Sequence, residues 1–408
     1  MKRLWHSPTL RSMVVYGVAG AGFAGANLIL ARVLPAVEYG LFTLVTALVN
    51  LAFSLAPVGL DGIVLRRHLS AGPRLLGRVL LATTLVGLVF GLIGLVAYHE
   101  LSAPLLAMLV VSTIAGGAMM VASAQFQSEQ RFGISLALLL SSNVVLLLAA
   151  LVVVAVGAKA AWLPLLIATA GFIGAALVGW RMLFREREGD QPHPEPPLPW
   201  GEALSFAGLQ ASGLLLIQLD RLMIPHVLPI HDLATYGVLS AIAGSLFRVL
   251  QMGMGFSLVP RLRAAADVPA RRRLIAHEAR LAGGIVLVGS AFIWFVTPLI
   301  ERWFLAGKYH LAGSLVLASI VAGIAKILNA FSKSTVTALG DARELRLVNL
   351  IGWVSVAIAV LASVAGARWG LAGVVYGVGL GWLVRAVGAS WLTVRHLRLP
   401  APVPVTAP

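Results

Sequence analysis

Arg32–Leu44 reads RVLPAVEYGLFTL, and His226–Ser240 reads HVLPIHDLATYGVLS. The first is a charged, proline-broken corner between two long apolar runs. The second repeats it. Val33-Leu34-Pro35 matches Val227-Leu228-Pro229, and Tyr39-Gly40 matches Tyr236-Gly237, with three extra residues in the second copy. An acidic residue stands in each corner, Glu38 and Asp232. Proline and glycine favour any hairpin loop, so the repeat gains its meaning from where the two copies fall in the rest of the chain.

Outward from the corners the chain is apolar almost throughout. Its 408 residues are 59% hydrophobic and 12% charged, with mean hydropathy +0.92, where a soluble domain carries about 25% charged residues. Apolar runs of roughly 20 residues recur along its length, each long enough to cross a bilayer as a helix. The 42 glycines and 20 prolines, many inside those runs, are also the usage of membrane helices. Strand alternation is absent, which argues against a membrane β-barrel. The expected fold class is an all-α polytopic membrane protein of about twelve transmembrane helices. The spans are placed at 12–34, 39–60, 79–99, 102–124, 133–156, 161–183, 203–224, 233–260, 281–301, 310–332, 346–366 and 370–394. The first follows Lys2, Arg3 and Arg11 but is too long for the core of a removable signal and lacks a small-x-small cleavage site, so it is expected to stay as a span.

The basic residues give the orientation. Of the 31 Lys and Arg residues, 22 fall at the N-terminus, at the C-terminus and in the loops on their side, among them Arg66, Arg67, Arg261, Arg263, Arg271, Arg272, Arg273 and Lys333. Six fall on the other side: Arg32, Lys159, Arg221, Arg302, Lys308 and Arg368. The positive-inside rule then puts both termini in the cytoplasm. The net charge of +15 is read as topology and attraction to membrane lipid rather than nucleic-acid binding. Arg outnumbers Lys 26 to 5, a sign of GC-rich coding that points to a bacterial inner membrane.

The longest interruption, REREGDQPHPEPPLPW at 185–200, cannot continue a helix and favours an extended segment. It divides the chain into a six-helix bundle at 1–184, a cytoplasmic linker at 185–200 and a second six-helix bundle at 201–408. Each corner then joins the first two spans of its half. Six spans per half make the halves parallel, the arrangement of transporters whose substrate site lies at the repeat interface.

At these corners the sequence resembles the polysaccharide flippases of the multidrug/oligosaccharidyl-lipid/polysaccharide exporter superfamily. The carrying phrases are LARVLPAVEYGLF (Leu30–Phe42), APVGLDGIVLRR (Ala56–Arg67), IQLDRLMIPHVLP (Ile217–Pro229) and SLVPRLR (Ser257–Arg263). The likeness extends over nearly the whole chain in span count and half division. It departs where a Leu-Gly-Pro is usual and both corners here read Leu-Pro. The resemblance implies two bundles around a central cavity. It also implies alternating access that moves an isoprenoid-pyrophosphate-linked oligosaccharide between leaflets for surface polysaccharide assembly, with polysaccharide polymerase and glycosyl transferases as partners.

Three cations lie inside spans: Arg248, Lys326 and Arg385. A charge at mid-bilayer costs about 2.5–3.5 kcal/mol on insertion scales, so it faces a cavity or a partner. No carboxylate lies comparably deep. Asp220 is nearest, beside Arg221, and serves as an ion-coupling or pairing group, with a pair to Arg248 as one reading. A pyrophosphate would supply the anion that three cations need, and Arg offers it paired donors. Substrate binding is therefore assigned to Arg248, Lys326, Arg385 and, at the outer end of span one, Arg32. An interfacial anchor is the plainer reading of Arg32, as snorkelling is of Arg385. Asn27, Asn50, Asn143, Gln210, Gln218, Gln251 and Asn329 could bind sugars or hold helices together.

Other classes find less support. There is no cysteine, no histidine spacing for a metal and no phosphate-cradling G-x-x-x-x-G-K-S/T loop, so no cofactor and no direct use of ATP are expected. An embedded glycosyl transferase or polymerase would need a catalytic carboxylate cluster, and a cation-coupled drug antiporter would want acidic residues in its cavity. The chain is expected not to be an enzyme.

Overall fold

The computed structural model describes residues 8–67, 71–185, 200–245, 247, 258–259, 261–265 and 267–398. These are helical almost throughout, and no strand occurs among them. The α-helices run α1 Pro8–Val33, α2 Ala36–Leu55, α3 Leu60–Arg67, α4 Pro73–Ala97, α5 Ala103–Ser128, α6 Phe132–Val156, α7 Trp162–Arg185, α8 Trp200–Val227, α9 Ile230–Leu239, α10 Val268–Leu299, α11 Gly313–Leu339, α12 Ala342–Gly366 and α13 Gly370–Arg398. Among the described residues eight stretches are long and apolar enough to cross a membrane, and one of them, 343–395, contains both α12 and α13. The chain is an all-α polytopic membrane protein.

Helix ends follow local chemistry. Pro35 caps α2 with its fixed φ of −51°, and Gly157 ends α6 in the left-handed region. Asp267 caps α10 by accepting from the Ala270 N–H, and Asp341 with Glu344 forms a reciprocal capping box on α12. Lipid-facing helices show their apolar residues: Leu81, Leu85, Leu88, Leu92 and Val96 of α4 are all exposed on the protein surface.

Several spans differ from the sequence expectation, span three among them, which starts at Pro73 and so carries Arg74 and Arg78 as helix residues. Span two ends early, because Val58 and Gly59 take positive φ and turn the chain into the short amphipathic α3. Span ten runs past residue 332 to Leu339, so Lys333 is a helix residue of α11 and not a loop residue. Span nine is extended backwards to Val268, giving a helix of 32 residues. At 1.5 Å per residue that is about 48 Å, well beyond a hydrocarbon core of about 30 Å, and its arginine-rich first turns form the excess. Span eight begins as α9 and continues as a π-helical turn at Ser240–Gly244; its further course, with Arg248 and Gln251, lies outside the described residues, as does the linker at 186–199.

The chain forms two compact units, Gly22–Val238 and Met1–Ala21 with Leu239–Pro408. In the first, α5 is the hub, touching α2, α3, α4, α6 and α7, while α8 lies against α2 and α3. Lipid offers polar groups no hydrogen bonds, so they pair across helices. Ser112 meets Thr169 at 2.8 Å, Ser123 meets Ser135 at 2.8 Å, and Trp180 Nε1 donates to the Ala118 carbonyl at 3.0 Å. In the second unit α13 packs along both α11 and α12. The approach to α12 is close enough that a Cβ on Gly366, Gly373, Gly377 or Gly381 would fall within 2.7 Å of an atom of the facing helix. Ser332 of α11 meets Ser390 of α13 at 2.7 Å.

Candidate functional site

The two corners meet within the first unit, each glycine against the other copy. A Cβ on Gly40 would lie 2.6 Å from the Ile230 carbonyl oxygen, and one on Gly237 would lie 2.8 Å from Thr43 Oγ1 and 3.1 Å from the Tyr39 ring. The surroundings anchor both. Glu38 Oε2 accepts from the Ala161 N–H at 2.7 Å, and Lys159 Nζ donates to the Val33 carbonyl at 3.2 Å. The Tyr98 hydroxyl donates to the Leu222 carbonyl at 3.1 Å, and its ring lies tilted against that of His226, centroids 4.7 Å apart. The repeated Tyr-Gly pair is thus a packing device as well as a turn signal.

Asp220 is buried, 2% exposed, and accepts a 2.5 Å hydrogen bond from the Tyr236 hydroxyl. Arg221, half-buried, donates to Gln218 Oε1 at 2.7 Å. The sequence reading missed Tyr236 as the partner. The available signal was its place in the repeat, which carries it back across the corner onto α8. Arg32 is exposed at the end of α1. At the other end of α8, Glu202 accepts from Arg66 at 2.7 Å and Arg67 at 2.6 Å. Beside them Gly59, at φ +80°, leaves no room for a Cβ, which would lie 2.0 Å from the Ala203 carbonyl oxygen. Burial raises the nearby Asp61 carboxyl above its ordinary pKa, more than the backbone N–H groups of Asp61 and Gly62 lower it.

Lys326 and Arg385 lie on α11 and α13, which pack together in the second unit. Lys326 Nζ stands 5.7 Å from the centroid of the Trp382 ring, and Arg385, 2% exposed, follows Trp382 by one turn on α13. Lys333, two turns along α11 from Lys326, lies within electrostatic reach of Arg385. Seven residues put Lys326 and Lys333 ~10 Å apart along the helix. At an effective dielectric of ~20, like charges at that separation repel by ~1.7 kcal/mol. The sequences of α11, α12 and α13 contain one carboxylate, Glu344, which is engaged in the α12 cap. These helices therefore concentrate positive charge with no carboxylate of their own at its depth.

A third feature is a cavity of about 60 Å³ in the first unit, bounded by α1, α2, α5, α6 and α7. Asn50, Asn143, Ser112, Ser142, Thr46 and Thr169 give it polar patches between Phe23, Phe42 and Phe172, and no lining residue is charged. Asn27 does not line it; its amide donates to the Phe23 carbonyl at 2.8 Å. Asn329 is buried on α11.

No protein-family model matches the chain, and no curated protein does. Solved structures share its fold. An inward-facing multidrug resistance MATE family transporter of the MOP superfamily superposes with TM-score 0.64 at 14% identity, covering 94% of each chain. MATE in a bent conformation gives 0.58 at 14%, over 94% of this chain and 93% of that one. The lipid II flippase MurJ, in an inward closed conformation, gives 0.64 at 9%, over 95% and 89%. The likeness is one of fold, and multidrug and lipid-flipping proteins share it alike.

Proposed function

We propose that this chain is an alternating-access transporter that flips an isoprenoid-pyrophosphate-linked oligosaccharide across a bacterial inner membrane, with both termini cytoplasmic and two parallel six-span halves. The observation that supports it best is Lys326 against Trp382, with Arg385 one turn further along α13, in helices with no carboxylate at that depth. An ionised phosphate suits that seam and an organic cation does not. The uncharged lining of the first unit's cavity also speaks against a cation-coupled drug antiporter, which would want an acid there. Arg248 and Arg32 are proposed as further contacts to the lipid diphosphate, and the Asp220–Tyr236 pair as the coupling group. Surface polysaccharide assembly would supply a glycosyl transferase before this step and a polymerase after it.

The test is flipping of a fluorescent isoprenyl-diphosphate oligosaccharide by the purified protein in liposomes. Movement is expected without ATP and should follow an imposed membrane potential or ion gradient, and Arg248→Ala should abolish it at equal reconstitution. Strict ATP dependence, or transport of drug cations in place of the lipid, would reject the reading.

A further inference from the structure

Lys333 was expected in a loop and is found in α11, on the same face as Lys326 and Asn329 by its spacing of seven and four residues. Opposite it α13 presents Trp382, Arg385 and Ala389 at matching spacing. Trp382 Nε1, in a side chain 1% exposed, has no hydrogen-bond partner among the described residues. A buried indole N–H without an acceptor is costly in protein and costlier in a membrane. Lys326 Nζ lies 5.7 Å from the centroid of the same ring.

We infer that Lys326, Trp382, Arg385 and Lys333 form a binding ladder for a phosphate-bearing headgroup on the α11/α13 seam, with Lys333 at its cytoplasmic end. The indole donates to a phosphate oxygen while the cations neutralise it. A diphosphate has enough oxygens to engage Lys326 and Arg385 together. Lys333, exposed, meets the headgroup first and hands it along the helix towards Trp382. This rests on the transport reading for direction only. Binding of the anion stands by itself.

The test uses the full-length protein in detergent with two probes, inorganic pyrophosphate and farnesyl diphosphate, and farnesol as the phosphate-free control. Affinity is read by calorimetry and folding by thermal melting. Charge-assisted hydrogen bonds of about 1.5–3 kcal/mol correspond to roughly 10- to 100-fold in affinity. Lys333→Gln and Trp382→Phe should each weaken farnesyl diphosphate binding by at least ~10-fold, with Lys333→Arg restoring most of it and farnesol not binding. Pyrophosphate bound with the same pattern makes the phosphate chemistry sufficient. Pyrophosphate unbound, with farnesyl diphosphate bound, assigns the site to the lipid form. Unchanged affinity for both probes in Lys333→Gln, or melting changes with no affinity change, would overturn the ladder, as would a wild-type protein that binds neither. A protein that binds with this pattern but does not flip the lipid in liposomes refutes the transport reading and leaves the ladder intact.

Discussion

Asp220 is the one deep carboxylate the sequence pointed to, and its fate turns on a single hydroxyl. Tyr236 donates to it at 2.5 Å in a buried setting. Removing that donor strands part of a buried acceptor, a loss of about 1–3 kcal/mol. Tyr236→Phe should therefore lower thermal stability, and adding Asp220→Asn should recover part of it, since an amide is cheaper to bury than a carboxylate. Equal melting of Tyr236→Phe and wild type would show that the bond carries little. Asp61 gives the corresponding statement in pH. Its pKa is raised in the folded protein by burial, so its favourable contribution is present below its unfolded pKa and is lost as pH rises through its folded pKa. Asp61→Asn should raise the melting temperature at pH 7 and leave it unchanged near pH 3. A variant less stable than wild type at pH 7 would contradict this.

Among the helices, contact is set by what is missing from them. Gly59 and Gly40 each face a backbone carbonyl, which cannot swing away, whereas Gly237 faces the Thr43 hydroxyl, which can shift at the cost of its 2.8 Å hydrogen bond to the Tyr39 carbonyl. Overpacking costs of about 1–3 kcal/mol are typical. Gly40→Ala should sit within that range and Gly237→Ala below it. Gly59→Ala should be the worst of the three, because a positive φ is added to the clash. Purification yield and melting of the three variants would rank them, and any other order would refute the contact argument. Neutralising Glu202, by contrast, should change stability by less than ~1 kcal/mol, since both arginine partners are largely exposed. Span existence was legible because a 20-residue apolar run has few other uses. Span ends were not: Lys333 reads as a loop charge, and only the close match of α11 to α13 shows that the helix continues through it. The Tyr236–Asp220 bond was likewise hidden, because it depends on how the corner folds back and not on any spacing along one helix.

At the scale of the whole chain, orientation remains the boldest statement drawn from composition, since charge alone assigns it. Reporter fusions at Pro196 and Pro408 should both read cytoplasmic, and an external signal at either would overturn the proposed parallel arrangement of six and six. Gly40 rests on the second copy and Gly237 on the first, so each copy's small residue accommodates its counterpart. A contact in which one patch recognises its own likeness is what a two-fold axis makes between identical subunits. Carried on one polypeptide, it ties the evolutionary drift of two positions almost two hundred residues apart. A larger residue at Gly237 can be absorbed by trimming the opposite copy, so Gly237→Ala should be rescued by Thr43→Ala, whereas Gly40, against the Ile230 carbonyl, has no side chain to trim.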